Sequence, residues 1–273
     1  MKTKSQIIRT ILMILFLCIN FNIVIHCQDN KQDTILTKIF ELEQGCKLVL
    51  DPKINTTDSL ILAIINGINN VVPRVQELIP ADSVTINLTI SRENILPQFG
   101  MGGGSSNDRV NFYFDPKNPN FNVVFMLHSL AHELQHVVRL RMPQWHLTLL
   151  ECMITEGLSD HFMIEVFNCE IPKWSQAITE DEIKQYMILV KPFSRIKHET
   201  WNAEFNENYF VPWMFGRKGE NPIPGWTGYT LGWRIVENYL KAHPEVHASS
   251  LVFTSAEEIA SSTPELKVDN ENK

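Results

Sequence analysis

The chain has 273 residues, 44% of them hydrophobic, and a formal net charge of −7, ordinary values for a globular protein built on one large core or two small ones. Lys and Arg form no block beyond the first ten residues, so the balance excludes a nucleic-acid-binding surface in favour of a solvated acidic one. Past residue 27 only Cys46, Cys152 and Cys169 remain, enough for at most one disulfide and too few for a disulfide scaffold.

Residues 1–27 stand apart. Lys2, Lys4 and Arg9 precede an apolar stretch from Ile11 to Ile25, broken by Asn20 and Asn22, and Gln28–Asp33 is abruptly polar. This pattern predicts an export signal, with a membrane anchor as the alternative because the stretch approaches the ~20 residues that span a bilayer. Cys18 and Cys27 raise a lipoprotein alternative, although neither follows the small residues that lipidation requires. The expected location is therefore outside the cytoplasm, whether periplasmic, extracellular or membrane-anchored.

Residues 34–50 and 58–79 are expected to be helical. In the second segment Leu60, Ile61, Ile64, Ile65, Ile68, Val71 and Val72 recur at helical spacing behind Thr57 or Asp58 as N-cap. Val84–Ile90 alternates apolar and polar residues, the mark of a strand with one buried face. Phe99–Ser106 is glycine-rich but lacks the Gly-Lys-Ser/Thr ending of a phosphate loop, so it is expected to be a flexible turn beside an edge strand. Val110–Phe114 is a second strand that ends at Asp115-Pro116, and Asn118-Pro119-Asn120 is expected to cap the next helix.

That helix carries His132-Glu133-Leu134-Gln135-His136, an H-E-x-x-H sequence inside a run that includes Val124, Phe125, Leu127, Leu130, Ala131, Val137 and Val138. So apolar a run predicts a buried helix, where polar groups left unpaired cost about 1–3 kcal/mol each. Positions four apart share a face about 6 Å along the axis, so His132 and His136 can place two imidazole nitrogens on one metal ion. Glu133 is turned by about 100° and can reach a water on that metal without being a ligand. Catalytic zinc takes three protein ligands and leaves a corner for water.

Glu156 lies 20 residues after His136 on a second predicted helix that includes residues 149–162, reached through a turn near Met142-Pro143-Gln144. It is the candidate third ligand. Gly157 beside it is expected to let the two metal-carrying helices approach closely. Asp160, one turn on, is a candidate to accept the other ring N–H of a ligating histidine, His132 in particular. His128, one turn before His132, is better placed as a core or supporting group, since His128 and His136 lie about 12 Å apart along the axis. Glu151 faces another direction and is expected at the surface or in support of the site. His161 is expected to be a structural histidine, and His146 lies in the interhelix loop as an alternative near the site. A small sheet followed by two metal-carrying helices suits an α+β, zincin-like architecture, mostly helical, with a small N-terminal sheet and a helical C-terminal lobe. One edge of such a sheet can hold an extended peptide. Glu180–Leu189, Gly232–Leu240 and Ala256–Ala260 continue the helical lobe, and residues 263–273 are expected to form a disordered tail.

H-E-x-x-H with Glu156-x-x-x-Asp160 downstream resembles the gluzincin group of zinc peptidases, with its thermolysin-type metal site. Leu130–His136, Thr155–Phe162, Trp213-Met214-Phe215-Gly216 and Gly228-Tyr229-Thr230-Leu231-Gly232 are similar to a bacterial family of predicted Zn-dependent proteases. The resemblance covers roughly residues 35–262 and is weaker before residue 95. It implies a metallopeptidase domain over 28–262, with an N-terminal lobe to about 145. It also implies Zn²⁺ on His132, His136 and Glu156, Glu133 as general base, and a peptide or protein as substrate. In gluzincins a Tyr or His from the later lobe donates to the oxygen that becomes negative, and Tyr229 is the residue so implied, ahead of Arg234 and His198. The other aromatic residues of 201–233 are expected to be core. The alternatives are an exported module in which zinc only ties two helices together, and a zinc hydrolase of non-peptide substrates. Membrane association is expected only through the N-terminal segment.

Overall fold

The computed structural model describes residues 38–143, 145–219 and 222–267. The predicted export signal or anchor, the two cysteines within it and residues 268–273 lie outside the described residues. Among those described, no helix is long and apolar enough to cross a membrane. The architecture is mixed α+β and divides within one helix, at Val137/Val138, into two compact units.

The first unit holds a five-stranded sheet in the order β1-β2-β3-β5-β4. The strands are β1 (Lys38–Glu41), β2 (Lys47–Leu50), β3 (Thr85–Ile90), β4 (Met101–Ser105) and β5 (Arg109–Phe114). The inner pairs β2/β3 and β3/β5 are parallel and the outer pairs antiparallel. Helix α1 (Ser59–Gln76) provides the crossover that a parallel β2/β3 pair requires. The register sets Leu48, Ile86 and Val110 in one row and Leu50, Leu88 and Phe112 in the next. All six are buried, which makes this the core face. Asp58 caps α1 by accepting from the Leu60 N–H at 2.8 Å. Gly67 of α1 meets Leu127 of helix α2 (Val123–Leu140) so closely that an added Cβ would lie 2.3 Å from a leucine methyl.

The first unit departs from expectation in three places. The predicted helix over 34–50 is, from residue 38, two strands joined by a tight turn. Gln44 (φ 49°) and Gly45 (φ 75°) take left-handed backbone that no right-handed helix continues through, and burial of Cys46, Leu48 and Leu50 follows the period of two. The glycine run is not a turn beside the edge strand but the edge strand itself, β4, hairpinned onto β5. The cap of α2 is Asn122, whose side chain accepts from the Phe125 N–H at 3.1 Å; Asn118 and Asn120 instead donate to the Pro97 carbonyl.

The second unit is helical, with α3 (Leu149–Phe167), α4 (Glu180–Ser194), α5 (Thr227–Ala242) and α6 (Ala256–Ala260). Thr148 caps α3 at its start and Asn168, in the left-handed region at φ 50°, ends it. Buried residues fall on every side of α3, so it is the central element of this unit. The predicted second metal-carrying helix, and the helices over 180–189, 232–240 and 256–260, are all present. Residues 203–214 add a short helical stretch that passes through a π-helical turn at Asn206–Phe210. The predicted tail starts too early. Pro264–Leu266 is a 3₁₀ turn that buries Leu266 and follows a buried Thr263.

Candidate metal centre

Helix α2 presents His132 and His136 from a segment whose Leu130, Ala131, Leu134, Val137 and Val138 are buried. The two imidazoles are themselves 8% and 9% exposed, their centroids 4.4 Å apart and their planes nearly perpendicular at 89°. This is what the i, i+4 spacing dictates on one helical face. One nitrogen of each ring and one carboxylate oxygen of Glu156, on α3, all lie within 4.8 Å of one another. Two imidazoles and a carboxylate are a donor set that catalytic zinc takes, so these three residues could hold the ion.

A buried ion pair sets α2 and α3 next to these groups. Arg139, one turn past His136 and fully buried, donates from Nε to Glu151 Oε1 at 2.9 Å and to the Thr155 hydroxyl at 3.1 Å. Its Nη2 lies 2.6 Å from the same carboxylate oxygen. Nη1 donates to the carbonyls of Leu251, Val252 and Thr254 at 3.1–3.4 Å. Thr155 immediately precedes the proposed ligand Glu156. Glu151 is therefore not a surface group but the buried counter-charge of Arg139, at 4% exposure. An arginine that interrupts the apolar run after H-E-x-x-H was a sign that a carboxylate must face it.

Gly157 allows a close approach, but to α5 rather than α2. A Cβ on Gly157 would fall 2.2 Å from the Gly232 carbonyl carbon, and one on Gly232 would fall 1.8 Å from the Met153 carbonyl oxygen. The crossing of α3 and α5 thus runs through two glycines. Glu156 adjoins one of them, and Tyr229 lies one turn before the other. Tyr229 is 9% exposed and packs against Phe215 and Trp226, with centroids 6.3 and 5.2 Å away. Trp226 holds φ 67° at the start of α5.

Glu133 is half-buried, and its carboxylate meets β4. The Ser105 hydroxyl donates to Oε2 and lies 3.0 Å from the Glu133 carbonyl oxygen. A Cβ on Gly103 would sit 3.3 Å from Oε1. Neither contact is legible in the sequence, where the glycine run points to a turn rather than to β4. Asp160 is fully buried, and its Oδ2 accepts from Trp174 Nε1 at 2.8 Å and from the Ser175 hydroxyl.

His161 is a structural histidine. It stacks on Trp233 at 3.6 Å, and its Nε2 lies 3.2 Å from the Trp233 carbonyl oxygen. Burial pushes its pKa down to about 4, against smaller opposing effects from that carbonyl and from Asp160 and Glu237. His128 is half-buried, and burial lowers its pKa too. His146 is exposed. His198 packs against Phe205 and Tyr209. The Arg234 guanidinium is committed to Glu180 and Glu237. Cys46, Cys152 and Cys169 form no disulfide among the described residues.

Residues 64–261 match a family model described as "Predicted Zn-dependent protease (DUF2268)". No curated protein matches the chain. Among solved structures, the chain is similar to an aminopeptidase N family protein from Idiomarina loihiensis at 15% identity and a TM-score of 0.41, covering 83% of this chain and 40% of that one. It thus spans less than half of that protein's length. The family match takes in most of both compact units and every residue of the metal centre: the chain belongs to the family of predicted Zn-dependent proteases.

Proposed function

We propose that the chain is a zinc metallopeptidase that hydrolyses peptide bonds, with His132, His136 and Glu156 as zinc ligands and Glu133 as general base. The observation that carries this is the grouping of two imidazoles and one carboxylate within 4.8 Å, with a further carboxylate on the residue that follows the first histidine. A zinc ion held there supplies the Lewis acidity that makes water a nucleophile near neutral pH.

Glu133 takes the proton from the attacking water and passes it to the leaving amine. The Tyr229 hydroxyl donates to the oxygen that becomes negative, a role favoured by its place one turn from the glycine crossing beside Glu156. Asp160, oriented by Trp174 and Ser175, fixes a ligating imidazole through its second nitrogen. The outer edge of β4 pairs with no strand among the described residues beyond the bridge from Leu96 to Met101, and past that bridge an extended peptide can add to it by backbone hydrogen bonds. Residues 28–262 act as one metallopeptidase domain, and the N-terminal segment directs it out of the cytoplasm or anchors it to a membrane.

The test is hydrolysis of a diverse peptide pool by the full chain, with and without chelator. Glu133→Gln is expected to keep one zinc per chain and lose at least about a hundredfold in rate. Unchanged hydrolysis in that variant contradicts the mechanism, and zinc binding without any hydrolysis by the unmutated chain favours a non-catalytic zinc module.

A further inference from the structure

We propose that Ser105 is a positioning residue that holds the Glu133 carboxylate in its working orientation, a role that rests on Glu133 being the general base. Met101, Gly103 and Ser105 of β4 pair with Phe114, Phe112 and Val110 of β5. Directly paired residues share a face, and those three β5 side chains are buried on the core face. The half-buried Ser105 hydroxyl on that face has apolar neighbours on its own sheet and finds its polar partner elsewhere.

Its partner is Glu133. The hydroxyl has one proton to give, and the carboxylate oxygen is nearer to it than the Glu133 carbonyl at 3.0 Å. The hairpin after β4 does not need this group, because the turn is closed by Ser106, whose hydroxyl donates to Asp108 at 2.8 Å and whose N–H donates to the Arg109 carbonyl.

Gly103 completes the arrangement. Any side chain there would meet the Phe112 ring at 3.0 Å and Glu133 Oε1 at 3.3 Å. The edge of an otherwise apolar face is thus cut down to a hydrogen atom beside one carboxylate oxygen and a hydroxyl beside the other. That accounts chemically for small residues in a strand that their β-propensity disfavours. The carboxylate would otherwise rotate freely about its terminal torsion, and a base misplaced by about 1 Å can lose about a hundredfold in rate.

The test uses the full, zinc-loaded chain on a peptide it cleaves. Ser105→Ala is expected to lower kcat about tenfold, the value of one hydrogen bond to a charged group. KM and zinc affinity should stay within about twofold, and Ser105→Thr should restore most of the loss. A kcat within about twofold of the unmutated chain overturns the assignment, as does zinc affinity that falls in step with kcat.

A second measurement needs no activity. In denaturant unfolding of the metal-free chain, Ser105→Ala and Glu133→Ala should be non-additive, the double variant unfolding close to Glu133→Ala alone. Additive effects overturn the contact. An unmutated chain that binds zinc and cleaves nothing overturns the proposed function instead, and the unfolding cycle still decides the Ser105–Glu133 pairing.

Discussion

His161 takes on a proton only at a cost to the fold. Burial holds its pKa at about 4 against an ordinary 6.5, so between these values the unfolded chain binds the proton that the folded chain refuses. Stability therefore rises with pH across that window and is lost as pH falls from about 6.5 to about 4. The urea midpoint should drop over this range, and His161→Phe, which keeps a ring against Trp233, should drop less; equal slopes contradict the assignment. At this scale the sequence was most informative where chemistry is local. His132, Glu133 and His136 share two turns of one helix, so their spacing alone predicts a common face. Glu156 required only that the next helix return. Ser105 and Glu133 lie 28 positions apart, and their contact depends on β4 being a strand, which a run of three glycines conceals.

Among the elements, α2 and α3 are fastened next to the histidines by Arg139 and Glu151, both buried. Arg139→Ala leaves a buried carboxylate without its counter-charge and should cost about 3–5 kcal/mol. Replacing Arg139 with Met and Glu151 with Leu together should recover most of that, since an apolar pair of similar volume needs no desolvation compensation. Chemical denaturation of the single and double variants checks this, and a loss below about 1 kcal/mol in Arg139→Ala contradicts it. The same physics explains which elements were legible. The helices with a one-sided apolar pattern, such as α1 and α2, follow it because burial of that face dominates, whereas α3 is buried on every side and its apolar residues mark it as central. Residues 38–50 misled because lysine and glutamate dilute a short period-two pattern, while Gln44 and Gly45 break the backbone where composition alone shows no stop. Gly157 announced a close approach but not its partner, because Gly232 lies 75 positions away and its own need for space comes from the Met153 backbone.

For the molecule as a whole, family membership and the placement of three donor side chains point to zinc held by nitrogen and oxygen rather than by thiolate sulfur, since no cysteine joins the metal-competent group among the described residues. Zinc K-edge X-ray absorption of the loaded full chain distinguishes the two directly. The account predicts one zinc in a shell of only nitrogen and oxygen at about 2.0–2.2 Å, two imidazoles among them, and one donor fewer from protein in Glu156→Ala with weakened binding. Sulfur scattering at about 2.3 Å, or zinc bound with undiminished affinity and an unaltered shell in Glu156→Ala, would contradict it.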